Sequence, residues 1–224
     1  MHKLEISRVT RTKQQSRQVY DRLSRWYDFF AGGSEREFMD FGIQQLDPKA
    51  GENILELGCG TGHGLISLSQ SVLPLGRIIG LDISFGMLTQ ARKHLQKSSA
   101  ISSVNLQLGD ASHLPYVAKI FSAVFLCFTL ELFDTPEIPL VLAECKRILK
   151  SDGRMGIVCL EKQDCLSVRI YELAHKLLPS LVDCRPINVQ QNLAQAGFDV
   201  TAMISKRMWG LPVKIVTAKE NRRF

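Results

Sequence analysis

Residues 53–64 read Asn53-Ile54-Leu55-Glu56-Leu57-Gly58-Cys59-Gly60-Thr61-Gly62-His63-Gly64. The turn-forming Asp47-Pro48-Lys49-Ala50-Gly51 precedes them, so the short apolar run Asn53–Leu57 predicts a first strand. Beyond the glycines, Leu65, Ile66, Leu68 and Val72 share one face of a predicted helix. A strand that feeds a glycine loop and then a helix makes a ligand-binding corner. Glycine lets a ligand approach the backbone, and the helix start offers unpaired N–H groups. A dinucleotide site requires G-x-G-x-x-G or its Ala-ended variant. Counted from Gly58, the third glycine position holds His63; counted from Gly60, it holds Leu65. The fingerprint fails in both registers, which argues against a nicotinamide oxidoreductase.

Outward from this corner the pattern alternates strand and helix, as in a parallel sheet. Ser34-Glu35-Arg36-Glu37 reads as a capping box opening a helix that presents Phe38, Phe41 and Leu46. Strands are expected at Arg77–Leu81, Val104–Leu108, Ser122–Cys127 and Arg154–Leu160. Between them lie a helix carrying Met87, Leu88, Ala91 and Leu95, and another carrying Ile138, Val141, Leu142, Cys145, Ile148 and Leu149. Thr135 and Pro136 suit the start of that second helix, and Gly153 its stop. Helices near 165–178 and 188–196 follow, then strands near 198–205 and 211–218. The last two form a hairpin interrupted by Trp209-Gly210-Leu211-Pro212, with Trp209 expected to cap it. Right-handed crossovers place helices on both faces of the sheet.

Acidic residues fall at the ends of the predicted strands. Asp82 lies 20 residues beyond Gly62, where a carboxylate can accept both hydroxyls of a ribose. Asp110 follows the third strand and can accept from an exocyclic amine. Glu56 sets a negative charge beside the loop, which disfavours a pyrophosphate and suits an ammonium or sulfonium. Together these residues describe a nucleoside ligand that carries positive charge and no phosphates.

On these residues the chain resembles the class I S-adenosylmethionine-dependent methyltransferases, and among them the ubiquinone/menaquinone biosynthesis methyltransferase-like group. The resemblance implies a Rossmann-like, seven-stranded, mostly parallel α/β sheet with helices on both faces and an antiparallel last strand. It implies S-adenosyl-L-methionine as cofactor, bound through Glu56, Gly58, Cys59, Gly60, Thr61, Gly62, Asp82, Ile83, Met87, Asp110, Ala111 and Cys127. It also makes Val19–Asp28 similar to an arm that closes over the cofactor, with Tyr27 a candidate acceptor contact. The expected organisation is an arm at 1–33 and a methyltransferase domain at 34–224. Phe128-Thr129-Leu130-Glu131-Leu132 departs from the group's F-G-L-R-N, exchanging an Arg for Glu131. Glu131 is the candidate catalytic or acceptor-binding residue, against the alternative of a loop residue.

The expected acceptor is small or lipid-like, of quinol type or related. The alternatives are a phospholipid headgroup amine or a non-catalytic cofactor-binding module. Residues 1–28 hold Lys3, Arg8, Arg11, Lys13, Arg17, Arg22 and Arg25 against Glu5, Asp21 and Asp28, within a net charge of +6. This basic arm reads as solvated surface or a peripheral membrane contact; nucleic acid ranks last because no recognition motif accompanies the charge. The arm lacks the apolar stretch of a signal peptide, which makes a cytoplasmic protein the default expectation. The six cysteines include no C-x-x-C pair and are expected to be structural thiols. His63 reads as a helix-start residue before a base, while His113 and His175 lack partners in the sequence. Oligomeric state has no signature here.

Overall fold

The computed structural model describes residues 8–9, 12–24, 32–72, 74–98, 100, 104–177 and 184–221. A helix in the arm, α1 (Lys13–Leu23), precedes α2 (Gly32–Leu46). Then come β1 (Asn53–Leu57), α3 (His63–Val72), β2 (Arg77–Asp82), α4 (Phe85–Lys97), β3 (Val104–Leu108) and β4 (Phe121–Cys127). After a 3₁₀ turn at Leu130–Leu132 come α5 (Ile138–Ile148), β5 (Leu149–Leu160), α6 (Leu166–Leu177) and α7 (Val189–Gln195), followed by β6 (Phe198–Met208) and β7 (Leu211–Glu220).

The strands form one sheet in the order β3-β2-β1-β4-β5-β7-β6. The first five are mutually parallel, and β7 runs antiparallel to both β5 and β6. The chain winds from β1 towards β3 and then restarts at β4 on the other side of β1. The carboxyl ends of β1 and β4 therefore diverge into a crevice, the usual ligand position in such sheets.

Period-two alternation sorts the central strands between two apolar clusters. Ile54, Ala123 and Phe125 pack with Phe38, Leu46, Leu65 and Leu68 on the α2/α3 face. Leu55, Leu57, Val124 and Leu126 pack with Val141, Leu142 and Cys145 of α5 on the other. Burial on both faces explains why these strands read as nearly continuous apolar runs. Ile138, Val141, Leu142, Cys145 and Ile148 are all buried, as their helical spacing predicts.

Three boundaries differ from the sequence reading. Helix α2 already includes Gly32 and Gly33, so Ser34 lies inside it and does not cap it. Helix α5 begins at Ile138 after a turn over 135–137, because Asp134 accepts from the backbone N–H groups of both Thr135 and Glu137, through its side chain and carbonyl respectively. At the other end α5 passes directly into β5, whose pairing with β4 starts at Leu149 opposite Phe121. The turn-like Lys150–Gly153 is accommodated as a bulge before Ala123 meets Arg154. Gly153 is therefore part of a strand and not a helix stop. Trp209 (φ +50°) and Gly210 (φ +80°) supply the two left-handed residues of a type I′ hairpin turn. Trp209 does not cap the sheet; it projects from the hairpin tip.

Among the described residues no helix is long and apolar enough to cross a membrane. No group of three metal-ligating side chains occurs among them. Cys59, Cys145 and Cys159 are buried free thiols, and burial pushes Cys145 up to about 12.

Candidate functional site

The glycine loop leaves β1 and lies against the end of β2. The Gly58 N–H donates to the Leu81 carbonyl at 2.8 Å, and the Gly60 N–H donates to the Asp82 Oδ2 at 2.9 Å. The other Asp82 oxygen accepts from the Ser84 N–H at 2.8 Å. Gly62 adopts φ +86°, and a Cβ there would lie 2.9 Å from the Ala91 Cβ on α4. Only glycine allows both the left-handed turn and this helix contact. The loop sequence is thus set by packing on α4 as well as by any ligand.

The crevice holds a cavity of about 960 Å³, part of it open to solvent. Gly58, Gly60, Asp82, Ile83, Met87, Asp110, Ala111 and Cys127 line it. A second lobe shares Gly58, Gly60 and Cys127, and adds Glu56, Cys59, Thr61, His63, Glu35 and Arg36. The named loop and strand-end positions therefore converge on one two-lobed space. Gly62 lines neither lobe, since it faces α4. Tyr27 lies outside the described residues.

The electrostatics of the second lobe are unusual. Glu56 is buried, and its Oε2 has no hydrogen-bond partner among the described residues. Burial, with the nearby Asp82 charge adding to it, pushes its carboxyl up to about 8. Burial likewise raises Asp82, to about 6, although the Ser84 and Gly60 N–H groups hold it down. Such a pair is stabilised by a ligand that brings a cation to Glu56 and hydroxyl donors to Asp82. An S-adenosylmethionine molecule carries both, so the residues present fit that cofactor.

The arm contributes groups that its charge count alone did not reveal. Lys13 of α1 donates to the Asp110 Oδ2 at 2.6 Å and to the Ser112 Oγ at 2.7 Å, and lies 3.2 Å from Glu137. Partial burial raises the Asp110 carboxyl, but bonds from Lys13 and Ser112 outweigh it and hold the group below its ordinary range. Arg8 forks onto Asp134 and pulls that carboxyl down to about 2. Asp21 accepts from the Ser84 hydroxyl at 2.6 Å and the Gly86 N–H at 2.9 Å, setting a negative charge on the first turn of α4. Val9, Ser16 and Tyr20 complete the cover over the cavity. The described part of the arm is docked through named partners. The i, i+3 and i+7 spacing of Lys13, Ser16 and Tyr20 places these residues on one face of α1.

Beyond β4 the wall is apolar: Phe128, Leu132 and Phe133 face the first lobe. Phe128 has φ +48°, a strained conformation for a bulky residue, held by its N–H donating to the Val158 carbonyl at 2.8 Å. Glu131 lines neither lobe. The 3₁₀ turn winds it back into the core, where it is fully buried and its Oε1 accepts from the Leu160 N–H at 3.0 Å. Burial pushes this carboxyl up to about 8 as well. The position expected to meet an acceptor is enclosed, because one helical turn reverses which neighbour points at the crevice. His63 stacks on His94 with ring centres 4.9 Å apart and is bonded to Arg36 at 2.8 Å. His175 is buried on the inner face of α6, and His113 lies 3.0 Å from the Ser112 hydroxyl.

Comparison with known proteins agrees with this geometry. Residues 54–153 match the family described as a methyltransferase domain. The demethylmenaquinone methyltransferase of Lactobacillus johnsonii is 35% identical over 148 residues, 66% of this chain and 60% of that protein. The nocamycin O-methyltransferase of Saccharothrix syringae is 32% identical over 145 residues, 62% of this chain and 49% of that protein. The chain thus spans about 60% or less of the length of these relatives. The crystal structure of the [4+2]-cyclase SpnF superposes with a TM-score of 0.72 at 17% identity, covering 94% of this chain and 97% of that one. That likeness concerns the fold alone, and it shows that the fold also serves other chemistry. The matched segment, the residues that line the crevice and these relatives together make the chain similar to the class I S-adenosylmethionine-dependent methyltransferases.

Proposed function

We propose that this chain transfers the methyl group of S-adenosylmethionine to a small, lipid-like acceptor of the quinol type. The observation that carries the reading is a pair of cavities that share their lining at the glycine loop and the end of β4. A polar lobe around Glu56 shares Gly58, Gly60 and Cys127 with a lobe walled by Phe128, Leu132, Phe133 and the arm. In this reading residues 1–33 act as a lid over the domain at 34–224. The relatives described as demethylmenaquinone methyltransferases, at 32–36% identity, favour a quinone-type acceptor over a phospholipid headgroup or a non-catalytic module.

When bound, S-adenosylmethionine supplies an electrophilic methyl carbon on a cationic sulfur. Its transfer to the acceptor would break the carbon–sulfur bond and leave a neutral thioether. Asp82 would hold the ribose hydroxyls. Asp110 and Ala111 would meet the adenine. Glu56 and the β4 end at Cys127 would hold the methionine ammonium, with Arg36 at the mouth of the same lobe suited to its carboxylate. Phe128, Leu132 and Phe133 would exclude water and align an apolar acceptor. Such alignment alone can supply about 7–11 kcal/mol of the barrier reduction. A quinol acceptor must also release one proton to solvent, and Glu131, which lines neither lobe, is not placed to take it.

The test uses cofactor labelled in its methyl group, offered with a demethylated menaquinol and, separately, with phosphatidylethanolamine. Label is expected in the quinol product and absent from the phospholipid. Label in the phospholipid, or cofactor binding without turnover on any acceptor, would overturn the proposal.

A further inference from the structure

Helix α6 has two apolar faces. Val168, Tyr171 and His175 turn inward onto the domain. On the opposite side Leu166, Ile170, Leu173 and Leu177 are 73%, 59%, 58% and 71% exposed. At 100° per residue these four fall within an arc of about 60°, so they form one stripe along the whole helix. Scattered exposed leucines are ordinary, whereas a stripe at helical spacing is not. The hairpin tip extends this surface. The Ser167 hydroxyl donates to the Gly210 carbonyl at 3.1 Å, which sets the start of α6 against the β6–β7 turn, where Trp209 is 72% exposed. Arg207 is tied to the same turn through Gly210 at 3.0 Å.

Charge points to what covers the stripe. Lys176 flanks one side of it, and Arg207 stands at its end. The nearby carboxylates are already engaged, Asp164 with Arg169 and Glu172 with Lys162. A helix of twelve residues is about 18 Å long, so the stripe spans about three turns. Apolar side chains, an exposed Trp and basic neighbours on one face are the composition of a helix lying in a bilayer interface.

The position on the fold agrees. Helix α6 follows the carboxyl end of β5, the edge of the sheet that holds the cavity. After α6 the chain returns with the Cys184 Sγ 3.9 Å from the Phe128 carbonyl and Arg185 bonded to the Phe133 carbonyl. Both phenylalanines wall the cavity.

We propose that the outer face of α6, with Trp209 at the hairpin tip, seats this protein on an anionic lipid bilayer beside the cavity mouth. The surface differs from the basic arm, whose Arg8 and Lys13 are committed to Asp134 and Asp110. It rests on the proposed function only for its purpose: a lipid-like acceptor is then drawn from the bilayer at the point of docking.

The experiment is sedimentation with vesicles of equimolar phosphatidylglycerol and phosphatidylcholine, which needs no catalysis and so fails or succeeds independently of the acceptor. The sequence contains two tryptophans, so Trp26→Phe leaves Trp209 as the reporter. Wild-type protein should sediment with the vesicles at low salt, and Trp209 emission should shift to the blue and be quenched by brominated lipid. Replacing Leu166, Ile170, Leu173 and Leu177 with Gln should weaken binding by at least about 100-fold. Circular dichroism and cofactor affinity should remain those of the wild type. Each of Lys176→Gln and Arg207→Gln should cost about fivefold at low salt. Wild-type protein that ignores the vesicles, or a four-Gln variant that binds them equally, would overturn the proposal. So would a dimer in the absence of lipid that the four-Gln variant abolishes, which assigns the stripe to a second copy.

Discussion

Replacing Glu56 with Gln separates the cost of its buried carboxyl from its use. The carboxyl is displaced from its ordinary 4.5 to about 8, by burial first and by Asp82 second. Between those values the folded chain holds a proton that the unfolded chain has released. Stability must therefore fall as the pH rises from about 5 to about 8, and level off above. A shift of this size corresponds to an upper bound of roughly 4–5 kcal/mol. Glu131, also raised to about 8, adds a second group with the same sign. Glu56→Gln should accordingly remove about half of the decline between pH 6 and 8. The variant should match wild type near pH 5 and melt several degrees higher at pH 9, at ~2–4 °C for each kcal/mol. Cofactor binding should respond in the opposite direction. Losing one charge-assisted bond of ~1.5–3 kcal/mol weakens the affinity by roughly 10-fold to more than 100-fold. Calorimetry in buffers of different ionisation enthalpy should show the wild type releasing about one proton on binding at pH 7, and the variant releasing almost none. Unchanged affinity together with a wild-type pH profile in a folded Glu56→Gln protein would refute the assignment of Glu56 to the cofactor.

Four further outcomes are expected. Asp82→Ala should weaken cofactor affinity by about 10-fold to over 100-fold, on the loss of at least one charged hydrogen bond; equilibrium dialysis giving wild-type affinity in a folded variant would remove it from the site. Gly62→Ala forces a Cβ into left-handed backbone 2.9 Å from the Ala91 Cβ, and should destabilise by about 1–3 kcal/mol in thermal unfolding; wild-type stability would mean that the loop turns otherwise. Lys13→Met frees Asp110 and Glu137 and should speed cofactor release several-fold in stopped flow, because the arm then loses a latch; an unchanged release rate would make the arm a fixed wall and not a lid. Glu131→Gln keeps the acceptor for the Leu160 N–H and should leave turnover within a few-fold while raising stability at pH 9; a fall of ~10²–10⁴ would identify a general base after all.

Most of the fold was legible in the sequence because its signals are local. Asn53–Leu57, the glycines, and the spacing of Ile138 through Ile148 each depend on a backbone period and on burial, and these act over a few residues. Boundaries were less legible where two elements compete for the same backbone groups. Asp134 captures the turn that Thr135 and Pro136 seemed to open, and pairing with β4 draws Leu149 into a strand before Gly153 can end a helix. The site divides in the same way. Asp82 and Asp110 follow from their place at strand ends, which the alternation of strands and helices determines. Which side chain after β4 faces the crevice depends on how a single 3₁₀ turn closes against β5, and that decided for Phe128 and Leu132 and against Glu131. The arm shows the largest difference. Composition made it a basic, solvated tail, and only the tertiary structure brought Lys13, Asp21 and Arg8 to partners 97, 63 and 126 residues away. Charge in a sequence states what a segment can pair with; the fold alone brings the partner within reach.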